Sequence, residues 1–168
     1  MDQNVNVTLR VNGETISRRI EARTNLVDFL RYELGLTGSH VGCEHGVCGA
    51  CTVRVDGKIV RGCLMVAAQT DGMDVWTIEG LTETGEIQAL QEAFVERNAL
   101  QCGFCTPGML LTAAELMERQ PKANREEIRK YISGNFCRCT GYQAIVDAIE
   151  VAQNKETERT KESYGLNG

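Results

Sequence analysis

The hydrophobic pattern at the start of the chain predicts β structure. Residues 5–11 alternate between apolar and polar side chains, which is the period of a strand with one buried face. Asn12-Gly13 follows directly and is typical of a tight hairpin turn, and a second short strand is predicted at residues 16–20. The chain therefore begins with a β-hairpin.

One helix and further strands complete the predicted N-terminal half. Thr24 or Asn25 can cap a helix whose apolar residues share one face and which we expect to end at Gly35. Residues 35–50 contain too many glycines for regular structure and predict a loop. The remaining predicted strands are residues 51–55, 59–66 and 75–78.

In the C-terminal half, the spacing of apolar residues changes to that of amphipathic helices. Four helices of ordinary length are predicted, which suggests a small bundle. They are predicted around residues 87–95, from a Thr106 cap to Pro121, from an Asn124 cap to Gly134, and from Thr140 or Gly141 onwards. The predicted fold class is therefore α+β. It comprises a mixed domain at residues 1–80, an all-α four-helix domain at 81–154 and a polar, loosely ordered tail at 155–168.

Composition and charge narrow the classes of function. The chain has 168 residues, of which 42% are hydrophobic and 24% charged, as is typical of a globular protein. A net charge of -5 and the lack of a basic stripe argue against nucleic acid as a partner. No apolar run approaches the roughly 20 residues of a membrane span, and the polar start lacks the pattern of a secretory signal. We therefore expect a cytoplasmic protein.

Eight cysteines are many for a cytoplasmic chain, because thiols there stay reduced and structural disulfides are rare. They form two sets of four, so two four-ligand sites account for all of them. The first set is Cys43, Cys48, Cys51 and Cys63, and the second is Cys102, Cys105, Cys137 and Cys139.

The first set has the spacing of a plant-type [2Fe-2S] ferredoxin site, with three cysteines in one loop and a fourth further on. Gly42, Gly46 and Gly49 allow the loop to curl and to turn backbone amides toward the sulfur atoms. A structural zinc is the alternative, although zinc sites favour two separated C-x2-C pairs. A Rieske centre would need two histidine ligands, whereas His40 and His45 are crowded into this loop, and His45 is interpreted as packing near the cluster.

The spacing of the second set is less specific on its own. Each cysteine pair lies near a predicted helix start, where free amides and the helix dipole favour thiolates and an anionic cluster. The residues leave three interpretations open: an iron–sulfur cluster, a zinc site or a reactive dithiol. A dithiol would leave Cys137 and Cys139 without a role.

We identify no catalytic residue in this chain. The sequence contains no Ser/His/Asp arrangement, no paired carboxylates in a defined setting and no phosphate-binding loop. Asp28 and Glu33 lie on the predicted first helix and are interpreted as solvated surface charges.

Three segments together resemble a known family. They are CEHGVCGACTV at residues 43–53, QCGFCTPGML at 101–110 and CRCTGYQAIVDAI at 137–149. They are similar to the small iron–sulfur subunit of the molybdenum hydroxylases, the xanthine dehydrogenase and aldehyde oxidase family. The resemblance extends over roughly residues 5–153. It implies a plant-ferredoxin-like β-grasp domain followed by a four-helix domain, each holding one [2Fe-2S] cluster.

The resemblance also implies a function and partners. Electrons in this family pass from a molybdopterin centre in a large subunit, through the helical-domain and then the ferredoxin-domain cluster, to FAD in a medium subunit. The chain is thus expected to be the electron-transfer subunit of an enzyme complex, a dimer of heterotrimers. The resemblance assigns Gln101 to hydrogen-bond the pterin, expected as its cytosine dinucleotide, and gives Cys139 the same contact besides its role as an iron ligand.

The sequences of these three motifs are most similar to those of bacterial hydroxylases of N-heteroaromatic, quinoline-like compounds. In these hydroxylases, the flavin and molybdenum domains lie on separate chains. The alternatives are the small subunit of a carbon monoxide or aldehyde dehydrogenase, and a free-standing ferredoxin. A free-standing ferredoxin would leave the helical half of the chain without explanation.

Overall fold

The computed structural model describes residues 3–163, with side chains as far as residue 156. Five strands form one mixed sheet beside a group of helices, which confirms the predicted α+β class. The strands are β1 (Asn4–Val11), β2 (Glu14–Glu21), β3 (Thr52–Val55), β4 (Lys58–Arg61) and β5 (Asp74–Trp76). Their order in the sheet is β2-β1-β5-β3-β4. The helices are α1 (Leu26–Asp28), α2 (Ile78–Glu83), α3 (Gln88–Glu96), α4 (Thr106–Arg119), α5 (Arg125–Ile132) and α6 (Gln143–Ser163).

Both predicted hairpins are present. β1 pairs with β2 in antiparallel register from Asn4 opposite Glu21 to Val11 opposite Glu14. Asn12 and Gly13 take positive φ values of 51° and 87°, as a type I′ turn requires. β3 and β4 form the second hairpin, and β5 lies between the two hairpins, parallel to β1 and antiparallel to β3.

The first helix is shorter than predicted. Of the two predicted cap residues, Asn25 is the one that caps this helix, and its side chain accepts a hydrogen bond from the Asp28 amide at 2.8 Å. After Asp28 the chain continues as a π-helical turn, Phe29–Glu33, instead of an α-helix to Gly35. Phe29 and Leu30 are both fully buried in this turn. Packing against the sheet therefore outweighs the better hydrogen-bond geometry of a regular helix.

The closing strand ends earlier than predicted, and an unpredicted short helix follows it. β5 stops at Trp76, Thr77 takes the N-cap position, and Ile78 begins α2. Ile78 and Leu81 belong to the helical core, not to the sheet core. The apolar run at residues 75–78 thus contributes Val75 to the sheet core and Ile78 to the helical core. The sequence pattern does not show where this change occurs.

The four predicted helices of the C-terminal half are present as α3 to α6. Asn124 caps α5 as predicted, accepting bonds from the Glu126 and Glu127 amides in a capping box. Thr106 is the first residue of α4 instead of its cap, and its buried hydroxyl has no hydrogen-bond partner within the part of the chain that is described. Cys105 occupies the cap position.

The segment predicted as a polar tail begins as helix, because α6 continues to Ser163. Ala152 is fully buried, Gln153 donates to the Gln120 carbonyl, and Lys155 pairs with Glu96 of α3 at 2.9 Å. Charged residues such as Lys, Glu and Arg are good helix formers, so a polar composition does not end a helix that already packs on a neighbour. Residues 164–168 of the predicted tail lie outside the described residues.

Two hydrophobic cores lie side by side. One is built from the sheet and α1, and the other from α2 to α6. Polar contacts join them: Glu115 of α4, 7% exposed, accepts from the Ile59 amide of β4 and from the Tyr131 hydroxyl at 2.7 Å. Burial, followed by the contact with Glu115, raises the pKa of Tyr131 to about 12. Within residues 3–163, no helix combines the length and apolarity that a membrane span needs.

Candidate iron–sulfur sites

The first cysteine set is gathered by one loop and one hairpin. Cys43 and Cys48 lie in the predicted irregular loop, and Cys51 directly precedes β3. Because β3 and β4 fold back on each other, Cys63 returns to the side of Cys51, and the Gly62 amide donates to the Cys51 carbonyl at 3.1 Å. The thiols of Cys51 and Cys63 lie within hydrogen-bonding reach of each other. All four predicted ligands are therefore brought to one end of the sheet.

The backbone of the loop favours negative charge on sulfur. The Cys48 amide donates to the Cys43 sulfur at 3.4 Å, and this bond is the main reason that the pKa of Cys43 falls to about 6. Left-handed conformations at Glu44, Gly46 and Gly49, with φ of 57°, 81° and 76°, make the tight curl. Consecutive amides that point inward form the anion-binding nest that the sequence predicts.

The inner end of the first site is different. Cys51 is 2% exposed, and burial raises its pKa to about 11. The first site thus has an outer pair of thiols, Cys43 and Cys48, which also hydrogen-bond each other, and an inner pair, Cys51 and Cys63.

The two histidines of this loop both contact backbone carbonyls. The Nδ1 atom of His45 hydrogen-bonds the Cys43 carbonyl, so the ring lies beside the loop as predicted. His40 stacks on Phe104 with 4.7 Å between ring centroids, and its Nδ1 lies 2.8 Å from the Phe104 carbonyl oxygen. Phe104 is located between two cysteines of the second set, so His40 connects the two cysteine regions.

The second set is assembled by two segments distant in sequence. Cys102 and Cys105 precede α4, while Cys137 and Cys139 lie in the loop between α5 and α6. The sulfur atoms of Cys102 and Cys139 are 3.6 Å apart, and Cys105 and Cys137 lie within hydrogen-bonding reach. The structure therefore brings all four predicted ligands together.

Hydrogen bonds and burial again distinguish the thiols of the second set. Burial raises the pKa of Cys105 to about 12. Burial also acts to raise the pKa of Cys137, but hydrogen bonds from Thr140, whose hydroxyl lies 3.1 Å from the sulfur, outweigh it and lower the pKa. The hydrogen bond with Cys102 raises the pKa of Cys139.

The arrangement of sulfur atoms in pairs fits a binuclear cluster. Two thiolates on one tetrahedral metal at about 2.3 Å are roughly 3.7 Å apart, close to the 3.6 Å between Cys102 and Cys139. Each iron of a [2Fe-2S] cluster takes two protein ligands. A single structural zinc ion would instead need four protein ligands around one point. The described residues contain no group of three or more His, Cys, Asp or Glu side chains arranged in that way.

Gln101 lies next to this site. Its side-chain amide donates to the Cys139 carbonyl at 3.0 Å, and Gln101, Cys102 and Cys139 are all exposed to solvent. The residue predicted to contact the pterin is thus held against one of the cysteines predicted to do the same.

Sequence reasoning missed the residues that join the two sites. Asn135 is 1% exposed and bonds to Gly49 of the first cysteine loop, and Arg61 of β4 donates to the Gly134 carbonyl at 2.8 Å. A polar residue two positions before Cys137 was the available signal, but an asparagine just after a helix is usually interpreted as a solvated turn residue.

Comparison with known proteins agrees with this geometry. Residues 9–75 match the family model of a 2Fe-2S iron-sulfur cluster binding domain, and residues 77–150 match that of a [2Fe-2S] binding domain. These two matches define the class of protein: an iron–sulfur electron-transfer protein with one [2Fe-2S]-binding domain in each half.

Similar proteins specify the family. The chain is 51% identical to the caffeine dehydrogenase subunit gamma of Pseudomonas sp. (strain CBB1), over 93% of this chain and 96% of the relative. It is 51% identical to the nicotine 6-hydroxylase small subunit of Paenarthrobacter nicotinovorans, over 86% of this chain and 87% of the relative. The crystal structure of quinoline 2-oxidoreductase from Pseudomonas putida 86 superimposes with a TM-score of 0.88 at 44% identity, over 94% of this chain and 98% of that one.

This chain belongs to the family of small iron–sulfur subunits of the molybdenum hydroxylases, as the motifs predict. It is an electron-transfer subunit of an oxidoreductase complex, and the predicted fold, with a ferredoxin-like domain, is confirmed by the structural match.

Proposed function

We propose that the chain relays electrons from a molybdopterin centre in a large partner subunit to FAD in a medium partner subunit. The observation that carries this proposal is the exposure of one cysteine pair. Cys102 and Cys139 are the only exposed cysteines among the eight, all of which lie in the described part of the chain. Gln101 is hydrogen-bonded beside them. This pair marks where an electron enters from a partner's cofactor.

The eight cysteines are the proposed iron ligands, one set in each of the proposed domains, residues 1–80 and 81–154. Each [2Fe-2S] cluster, when bound, accepts and releases a single electron. The pairing of sulfur atoms supports two cysteines on each iron. The pairs are Cys43 with Cys48, Cys51 with Cys63, Cys102 with Cys139, and Cys105 with Cys137.

Exposed apolar side chains support fixed partners over a free-standing ferredoxin. Phe104 and Phe136, each next to a cysteine of the second set, are 46% and 52% exposed, and Val47 and Leu64 are exposed beside the first set. Large apolar side chains concentrated at the two functional ends of a protein indicate interaction surfaces. We propose that the large subunit binds near the second set and the medium subunit near the first, in a cytoplasmic dimer of heterotrimers.

The proposed substrate of the complex is an N-heteroaromatic compound. Caffeine, nicotine and quinoline, which name three of the similar proteins, are all nitrogen heterocycles. Identity to the aldehyde oxidoreductase iron-sulfur-binding subunit of Escherichia coli (strain K12) is lower, at 38%. The substrate itself would be bound by the large subunit, so this part of the proposal rests on similarity alone.

Metal analysis and EPR of the complex purified with its natural partners test the relay. We expect about four irons per copy of this chain, and two distinct rhombic signals after dithionite reduction. About two irons, with zinc in the second set, would leave only the first site as an electron carrier and would refute the relay.

The role of Gln101 is tested by anaerobic reduction of the clusters with quinoline, nicotine or caffeine as the electron source. The Gln101→Ala variant should be reduced by the active substrate more slowly than wild type, while dithionite reduces both equally. Gln88→Ala is the matched control, since Gln88 is an exposed glutamine whose side chain donates to Glu92 on the same helix, α3. Equal rates in the two variants would remove Gln101 from the entry point.

A further inference from the structure

The two cysteine loops are in direct backbone contact. The amide of Phe136 donates to the carbonyl of Cys48 at 2.8 Å. Cys48 belongs to the first set, and Phe136 directly precedes Cys137 of the second set. One hydrogen bond therefore joins two covalent paths, each of which leads to a cysteine sulfur.

Asn135 holds this contact in place. It is 1% exposed, and its side-chain amide donates to the Gly49 carbonyl at 3.2 Å, one residue beyond Cys48. Its side-chain oxygen accepts from the Thr112 hydroxyl at 3.0 Å and faces Arg61 at 3.4 Å. Because the Gly49 carbonyl can only accept, the orientation of the Asn135 amide is determined by its partners.

Glycines allow the backbones to approach closely at the same place. A Cβ atom added to Gly49 would come 2.7 Å from the Gly134 carbonyl oxygen, and one added to Gly108 would overlap with the Gly49 carbonyl. Main chain of the first cysteine loop therefore packs directly on main chain of the helical half, beside the buried Asn135 side chain.

We propose that the hydrogen bond from the Phe136 amide to the Cys48 carbonyl is the connection through which an electron passes between the two cysteine sets, and that Asn135 is the positioning residue that maintains it. This inference rests on the proposed function. A single electron moves, no bond forms or breaks, and the centre at the second set is oxidised as the one at the first set is reduced.

A second link between the two regions is a weaker candidate. His40 contacts the Phe104 carbonyl and stacks on its ring, but His40 is not adjacent to a cysteine. The covalent path from His40 to the first cysteine set is therefore longer than the path from the Cys48 carbonyl. The buried link at Asn135 is ordered by four polar partners, whereas the link at His40 depends on one side chain.

The test uses Asn135→Ala in the complete complex with both sites loaded. Loss of the network should raise hydrogen exchange at the Phe136 amide by about tenfold, the equivalent of losing one buried hydrogen bond. The magnetic interaction between the two reduced centres should diminish in low-temperature EPR, and electron transfer between them after rapid photoreduction should slow. Iron content should remain that of wild type.

Two control variants separate positioning from general loss of stability. Asn124→Ala removes two side-chain-to-backbone hydrogen bonds at the start of α5, in the same half of the chain but away from both cysteine loops. His40→Ala removes the second link. Both should keep the wild-type magnetic interaction and transfer rate. A transfer rate lowered as much by His40→Ala as by Asn135→Ala would overturn the proposed route.

Thr112→Val is the milder variant if Asn135→Ala fails to fold or loses iron. It removes only the hydroxyl that donates to the Asn135 side-chain oxygen. Hydrogen exchange at the Phe136 amide should rise, and the magnetic interaction and transfer rate should fall, each by less than in Asn135→Ala. Wild-type exchange and transfer rates in a four-iron variant would overturn the role of Asn135. About two irons in the wild-type protein would instead refute the proposed function, so the two failures are distinguishable.

Discussion

The two cysteine sets reach similar geometries by different routes. In the first set, Cys43, Cys48 and Cys51 come from a single loop, and a short hairpin supplies Cys63. In the second set, the loop before α4 must meet the loop between α5 and α6. The first set is thus organised mainly by local backbone conformation, whereas the second exists only when the helices have packed. This is why spacing alone identifies the first site and leaves the second ambiguous.

The sets also differ in their relation to solvent. The innermost thiol of the first set, Cys51, is buried, while Cys102 and Cys139 of the second set are exposed. The half-buried pair of the second set, Cys105 and Cys137, is the pair that continues through Phe136 toward the first site. One end of the helical site is thus open to a partner, and the other end is closed against its own neighbouring domain.

The largest expected effects come from removing one proposed iron ligand from each set, the half-buried Cys105 and the buried Cys51. Cys105→Ala should lose about two irons and destabilise the helices, because the pair Cys105 and Cys137 ties the start of α4 to the loop before α6. Cys51→Ala should also lose about two irons but leave the helical transition nearly unchanged. Iron analysis and urea unfolding followed by far-UV circular dichroism measure both. A Cys105→Ala protein with full iron content and unchanged unfolding would contradict the second assignment.

A smaller effect is expected from Gly108→Ala at the contact between the halves. Alanine in the interior of an exposed helix usually stabilises by about 1 kcal/mol relative to glycine. Here the new methyl group would overlap with the Gly49 carbonyl, so we expect a loss of about 2 kcal/mol. The urea midpoint gives the sign directly.

Gly103→Ala is the matched control for Gly108→Ala. Gly103 has a φ of 81° and no neighbour within 4 Å of an added Cβ, so alanine there should cost only about 1 kcal/mol of backbone strain. Stabilisation by Gly108→Ala would mean that the two halves are less closely packed than the structure indicates.

The smallest effect concerns the extended end of α6. Lys155 and Glu96 form an ion pair whose side chains are 41% and 54% exposed. Exposed pairs contribute little, so Lys155→Ala should change the free energy of unfolding by less than about 0.5 kcal/mol and leave both cysteine sets unaffected. Chemical denaturation of the single variants and of the double variant with Glu96→Ala measures the coupling, and a coupling above about 1 kcal/mol would give this end of α6 a larger structural role.

Much of the fold follows from the sequence pattern, and the departures have physical causes that can be named. The hairpin at Asn12-Gly13 and the cap at Asn124 were predictable because their determinants lie within a few residues of one another. The π-helical turn at Phe29, the switch of Ile78 into the helical core and the extension of α6 beyond Lys155 were not. At Phe29 and Ile78, burial against a distant element outweighs a local preference. The continuation of α6 instead agrees with the good helix propensity of its charged residues.

The sequence by itself determined the two groups of cysteines, the plant-type loop and, through three motifs, the family. It also contained Gln101, which became a candidate through the family resemblance. Only the tertiary structure decided which thiols pair, which pair is open to solvent, and that Asn135 and three glycines connect the two sites. The physical reason is that ligand spacing is a property of the local chain, whereas sulfur pairing, exposure and backbone contact arise from the packing of one half against the other.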